Sequence, residues 1–248
     1  MNEQRKPIIG ITVGDPAGIG PEVVLKALTD DRLREVCRPV VIGDRQMLVK
    51  TSWPFDVKTA FGRLGDSRNG GTIEVYDLPT VGEGFITGVE SKETGLASAA
   101  YIEAAVKLWR EREIDAIATA PISKNALKLA GYSFPGHTEF LAHLTDTKEF
   151  AMSFFAEKLR VVLVSTHVSL RNAIELVTTA SLVDLIRFSD KTLPNLIGKR
   201  PKIAVAGINP HASEDIEDLR EQIAELKDEG VAVVQRALDS ATGMVALR

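Results

Sequence analysis

The chain has 248 residues, 44% of them hydrophobic and 26% charged, which is ordinary for a globular protein and long enough to bury a substantial core. Its formal net charge of −4 gives no general electrostatic ground for nucleic-acid binding, so an anionic ligand has to be held by a local site. The sole cysteine, Cys37, excludes an intrachain disulfide and fits a reducing compartment.

From the N-terminus, Ile8–Val13 is a short apolar run followed at once by Gly-Asp-Pro. It is too short for the core of an export signal, and no stretch of the chain approaches 18 uninterrupted apolar residues. The sequence therefore predicts a cytoplasmic protein without a membrane span. Pro21 to Glu35 sets Val23, Val24, Ala27, Leu28 and Leu33 largely on one helical face. Cys37, ahead of Arg38-Pro39, reads as a packing or surface thiol. Val40–Gly43 and Thr72–Tyr76 read as buried strands, and the glycine-bearing stretch 59–71 between them as a surface loop.

Lys92 to Arg112 carries Ala99, Ile102, Val106 and Trp109 at spacings of three and four, the signature of a long amphipathic helix. Ile114–Thr119, Phe150–Ala156, Arg160–Ser165 and Lys202–Gly207 read as further strands. Ser123–Ala130, Thr138–Leu144, Leu182–Leu193 and Ser213–Glu229 read as further helices. Strands alternating with helices predict an α/β fold with a largely parallel sheet. The elements from about 90 to 200 are expected to form an inserted or second layer, with no internal boundary assigned.

In open α/β sheets ligands bind beyond the carboxyl ends of the strands, and five polar clusters fall there. In Gly14-Asp15-Pro16-Ala17-Gly18-Ile19-Gly20-Pro21-Glu22 the glycines permit a tight strand-to-helix turn, and Pro21 suits a first helical turn whose free N–H groups favour an anion. The segment lacks the full dinucleotide fingerprint, and Asp15 would repel a pyrophosphate, so a purely structural turn is an equal reading.

Lys124, in Thr119-Ala-Pro-Ile-Ser-Lys124, is an anion contact or a solvated surface lysine. His137 beside Thr138, after the Pro135-Gly136 turn, is a phosphate or carboxylate contact or a solvated turn histidine, and His143 is structural. His167 and His211 each follow a strand, and two imidazoles at strand ends can converge on a divalent metal if further ligands join them. No Gly-x-Ser-x-Gly, P-loop, Cys-x-x-Cys or basic-aromatic stripe is present, so hydrolase-elbow, nucleotide-triphosphatase, zinc-ribbon and nucleic-acid functions lose their usual support.

Taken in order, Gly14–Glu22, Thr119–Lys124, Gly136-His-Thr-Glu-Phe140, Thr166-His167 and Asn209-Pro-His211 resemble the 4-hydroxythreonine-4-phosphate dehydrogenases of vitamin B6 biosynthesis, over about residues 7 to 214. The resemblance implies an isocitrate/isopropylmalate dehydrogenase-like fold of two interleaved α/β lobes. It also implies a homodimer with its site near the interface.

The activity implied is NAD-dependent oxidation and decarboxylation of 4-phosphohydroxy-L-threonine to 3-amino-2-oxopropyl phosphate. A divalent cation (zinc, magnesium or cobalt) would hold the alcohol oxygen. His137 and Thr138 match the family's substrate contacts, and His167 and His211 match two of its three metal histidines. Lys124 and Asp15 match motif positions that point to catalytic roles. A sibling activity on 4-phosphothreonate- or 4-phosphoerythronate-type acids would share these motifs, as would a non-catalytic remnant that keeps the phosphate site.

After His211 the charged stretch Ser213-Glu-Asp-Ile216 stands where the family has a glycine-rich segment. The last quarter expected of a family member, with the third metal histidine, lies beyond Arg248. The resemblance thus describes residues 1–248 as one incomplete dehydrogenase unit.

Overall fold

The computed structural model describes residues 5–52, 61–63, 72–82, 85–156, 159–206, 217–236 and 244–247. The chain divides into two compact units, Met1–Thr147 and Lys148–Arg248.

The first unit is built on a five-stranded, wholly parallel sheet of β1 (Ile8–Thr12), β2 (Arg38–Gly43), β3 (Phe61–Arg63), β4 (Ile73–Asp77) and β5 (Ala116–Thr119), in the order β3-β4-β2-β1-β5. Parallel strands are covered on both faces, which is why β2 carries the unbroken apolar run Val40–Ile42; in β4 the buried Glu74 is paired with Arg38 of β2. Val40, Val41 and Ile42 are fully buried, and Val41 and Ile42 share the main core with Leu25, Leu48 and Tyr101. β3 lies inside the stretch expected to be loop. It is only three residues long and pairs at the sheet edge, too short for a period-two signal to emerge.

The single helix expected over Pro21–Glu35 is two helices, α1 (Gly20–Leu28) and α2 (Asp31–Val36). Asp30 breaks it: its carboxylate accepts from the Arg32 N–H and caps a new helix, a local bond that competes with continuing the first. The long helix α4 (Lys92–Arg110) follows a short α3 (Arg45–Ser52) and begins with a Ser91/Thr94 capping box. α5 (Lys124–Leu129) and α6 (His137–Leu144) pack beside α4, around Ala99, Ile102, Leu127 and Phe140. Residues 92–147 thus complete the first unit, and the expected second layer begins only after Thr147.

The second unit carries β6 (Ser153–Phe155), β7 (Arg160–Leu163), β8 (Ile203–Ala206), β9 (Val233–Arg236) and β10 (Met244–Leu247), in the order β6-β7-β10-β8-β9. Only β8 and β9 run parallel. β6 pairs antiparallel with β7, and β10 runs antiparallel between β7 and β8, so the expectation of a parallel sheet holds for the first unit and not for this one. Its helices are α7 (Leu170–Leu176), α8 (Thr179–Ile197) and α9 (Glu217–Asp228). Ile186, Leu193, Ile203, Leu219 and Leu226 fill its core. Among the described residues, no helix is long and apolar enough to cross a membrane.

Candidate functional site

The carboxyl ends of β1 and β5 lie side by side, with Thr12 in register with Thr119, and the loops leaving them form the floor of the candidate site. Gly14 has φ +73°, a left-handed backbone that glycine adopts without penalty. A Cβ there would collide with the Pro121 carbonyl oxygen, so the two loops touch backbone to backbone. The contact is closed by the Asp15 N–H donating to the Pro121 carbonyl at 3.0 Å. From α4, the buried Ser98 Oγ reaches the Gly14 carbonyl at 3.3 Å.

Asp15 is 3% exposed, and its carboxylate accepts from the Ala17 N–H at 2.9 Å. This inward hydrogen bond builds the turn.

A cavity of about 330 Å³ opens over this floor, bounded by Asp15, Gly18, Gly88, Glu90, Pro121 and Ser123. Glu90 spans it. One carboxylate oxygen accepts from Ser123 Oγ at 2.5 Å, the other from Asn125 Nδ2 at 2.7 Å, and these bonds hold its carboxyl below the usual carboxylate range. Ser123 also caps α5 through the Ala126 N–H. The residues on both sides of Lys124 are therefore pinned, while Lys124 itself is exposed at the first position of the helix. A cation there opposes the macrodipole and gains nothing from the helix. Glu90 was not legible in the sequence: its partners lie 33 and 35 residues away, and no local pattern joins them.

His137 opens α6, and Thr138 follows it, both partly buried. The His137 ring lies beside the Ala120 backbone, just beyond the end of β5. Its Nε2 is buried and has no hydrogen-bond partner among the described residues. Burial pushes the imidazole pKa below its ordinary value of 6.5, and the Ala120 backbone beside it only partly opposes this.

Because the folded state resists protonation more than the unfolded chain does, stability contributed by the neutral ring is present above pH 6.5 and is lost as the pH falls below it. The urea midpoint of the native chain is expected to drop more steeply between pH 7 and 5 than that of His137→Gln. Parallel curves would rule this out.

Asp15, Lys124 and His137 are thus gathered around one segment, residues 120–124, with Thr138 next along α6. His143 is exposed and packs its ring 5.1 Å from that of Phe134, in keeping with a structural role. His167 belongs to the second unit. It is exposed beyond β7 and holds φ +57°, a left-handed conformation uncommon for any residue with a side chain. His211 lies outside the described residues. Among the described residues no group of three or more His, Cys, Asp or Glu comes together, so they do not by themselves make up a metal centre. Cys37 is buried at the start of β2, with its thiol 3.4 Å from the Leu33 carbonyl.

The model of one family, pyridoxal phosphate biosynthetic protein PdxA, matches residues 35–238. The D-threonate 4-phosphate dehydrogenase of Cupriavidus necator is 43% identical over 213 residues, which cover 84% of this chain and 64% of that protein. The chain thus spans just under two thirds of this relative's length. The crystal structure of a 4-hydroxythreonine-4-phosphate dehydrogenase from Burkholderia phymatum superposes with a TM-score of 0.83 at 37% identity, over 93% of this chain and 74% of that one. That of the Klebsiella pneumoniae 4-hydroxythreonine-4-phosphate dehydrogenase gives 0.84 at 35% identity, over 92% and 74%. The isocitrate dehydrogenase-like α/β fold expected from the motifs is the fold these neighbours share. On the family match and these likenesses together, the chain belongs to the PdxA family.

Proposed function

We propose that this chain carries the substrate-binding floor of a PdxA-type dehydrogenase that oxidises a secondary alcohol of a 4-phosphorylated four-carbon hydroxy acid. The observation that carries the reading is the gathering of Asp15, Lys124 and His137 at the carboxyl ends of two parallel strands, where such sheets take their ligands. Within the class, D-threonate 4-phosphate is the first substrate to test, since the Cupriavidus necator relative is named for it. 4-Phosphohydroxy-L-threonine, the substrate the motifs first suggested, is the sibling reading, supported by the names of the structural neighbours.

In this reading a nicotinamide cofactor, NAD, supplies the hydride acceptor and a divalent cation (zinc, magnesium or cobalt) stabilises the developing oxyanion. The chain's own residues bind and orient. Thr138 and His137 meet the substrate from α6, and Lys124 presents a positive charge at the start of α5. Glu90 keeps the start of α5 in place. His167 is assigned to the cation together with His211, and its left-handed backbone supports the assignment, because such strain of order 1–3 kcal/mol collects at functional positions. A cytoplasmic homodimer fits the family, and the exposed Phe154 and Phe155 on the edge strand β6 give a second copy apolar surface to cover.

The test is NAD reduction and CO2 release with each of the two phosphorylated acids, in the presence of zinc, magnesium or cobalt. Turnover of D-threonate 4-phosphate in preference to 4-phosphohydroxy-L-threonine is expected. His167→Ala and His211→Ala are each expected to weaken zinc binding at least about tenfold in a calorimetric titration while the fold is kept. Unchanged zinc affinity in both variants would remove the histidines from the cation, and no NAD reduction with either acid would end the dehydrogenase reading.

A further inference from the structure

Lys124 brings a positive charge to this floor, and a carboxylate stands against both of its neighbours without pairing with it. Glu90 accepts from Ser123 Oγ at 2.5 Å through one oxygen and from Asn125 Nδ2 at 2.7 Å through the other. The ammonium of the lysine between them makes no ion pair or hydrogen bond among the described residues. An exposed lysine beside a free carboxylate ordinarily does pair, as Lys26 does with Glu22 on α1.

The arrangement around Glu90 explains the difference. Its base is fixed, because Ser91 opens the capping box of α4 and the Gly88 N–H donates to the Ala17 carbonyl at 2.7 Å. One turn into α4, a Cβ on Gly95 would collide with the Ala126 carbonyl, so the segments bearing Glu90 and Asn125 are backed by a close backbone contact. Ser123 Oγ accepts from the Ala126 N–H at 3.0 Å, which leaves its own proton for Glu90. To reach Lys124 the carboxylate would have to give up charge-assisted hydrogen bonds, and an ion pair open to solvent returns little in exchange. The same two bonds hold the carboxyl below the usual carboxylate range, so it stays an acceptor.

We infer that Ser123 and Asn125 are positioning residues, which occupy both oxygens of Glu90 and so keep the Lys124 ammonium free for the anionic end of the substrate. This rests on the reading of Lys124 as an anion contact in a site for a phosphorylated hydroxy acid. The carboxylate can then stand at the cavity wall without neutralising the neighbouring cation. If one of its donors is lost, Glu90 becomes a competitor of the ligand for Lys124.

The experiment is a calorimetric titration of the whole chain with inorganic phosphate and with D-threonate 4-phosphate. Asn125 is exposed, so its truncation leaves the fold in place. Asn125→Ala is expected to weaken both ligands about three- to fivefold, the scale of one exposed ion pair competing for the lysine. Glu90→Gln alone should bind them more tightly than the native chain, since a negative charge beside the lysine is gone. The double variant Glu90→Gln/Asn125→Ala should regain at least the native affinity. Added to Lys124→Met, which itself weakens binding, Asn125→Ala should cause no further loss.

Native affinity in Asn125→Ala overturns the inference. So does a double variant as weak as Asn125→Ala, because the amide would then act on the loop and not through Glu90. A crystal structure of Asn125→Ala with Glu90 still clear of Lys124 overturns it whatever the affinities. If Lys124→Met binds both ligands as the native chain does, or the native chain binds neither, the anion reading of Lys124 fails and takes this inference with it. A weakened Lys124→Met beside an unaffected Asn125→Ala sinks this inference alone.

Discussion

Gly14→Ala is expected to cost about 3 kcal/mol or more and to lower the melting temperature by roughly 10 °C, with loss of ligand binding. Two effects add at this position. The first is conformational: Gly14 sits at φ +73°, where a residue with a Cβ is penalised by roughly 1–2 kcal/mol. The second is a collision of the new methyl with the Pro121 carbonyl oxygen, and with the Ala120 carbonyl oxygen at 2.8 Å. Both obstacles are backbone at the end of β5 and cannot rotate aside. Relief requires the loop to separate from residues 120–121, which breaks the Asp15 N–H bond to Pro121 and moves the carboxylate that shapes the cavity.

Gly88→Ala is the matched control. Gly88 is also left-handed, at φ +82°, but a Cβ there meets nothing within 4 Å. Its cost should be the conformational part alone, and the difference between the two variants measures the collision. Equal melting temperatures for the two would show that the loops are not in contact as described.

Much of the first unit could be read ahead of its structure, and the reason is burial on both faces. Val40–Ile42 lies in the middle of a covered parallel sheet and carries no polar residue, and in β4 the buried Glu74 between Ile73 and Val75 is matched by Arg38 on the neighbouring strand. The readings that fell short depended on contacts distant in sequence or on very short elements. Asp30 divided one expected helix into two by a cap bond spanning two residues. β10 lies outside every expected strand, and its antiparallel place between β7 and β8 is a pairing across 40 or more residues that no local period encodes.

The site divides the same way. Asp15 and Lys124 stand out as candidates in the sequence because each closely follows a strand, and His137 because it follows the Pro135-Gly136 turn. Glu90, which locks the start of α5, precedes an ordinary capping box and looks like surface charge. The state of His137 was beyond reach for a similar reason. Its pKa is lowered by burial beside Ala120, 17 residues back, and no local pattern announces that neighbour.

Phe140→Ala is expected to destabilise the first unit by about 3–5 kcal/mol, the usual range for deleting a buried aromatic side chain. Phe140 is 1% exposed and closes a small cluster of its own with Ala99, Ile102 and Leu127, apart from the main core. Phe134 stacks on it with ring centroids 4.6 Å apart, and Tyr132 tilts against it at 5.3 Å. These aromatic contacts hold α6 to α4 and α5, because the helix is only eight residues long and its N-cap, Gly136, offers no side chain to secure the first turn. Phe140 lies three residues after His137, on the same side of the helix.

Removing the ring should therefore free the start of α6, release the imidazole from Ala120, and return the His137 pKa upward toward 6.5 as Nε2 gains solvent. Phe140→Leu, which refills most of the volume, should recover the larger part of both the stability and the depressed pKa. A Phe140→Ala protein that melts within about 2 °C of the native chain would contradict the packing role. One that is destabilised yet keeps the His137 pKa as depressed as in the native chain would show that α6 is held at its first turn by something other than this cluster.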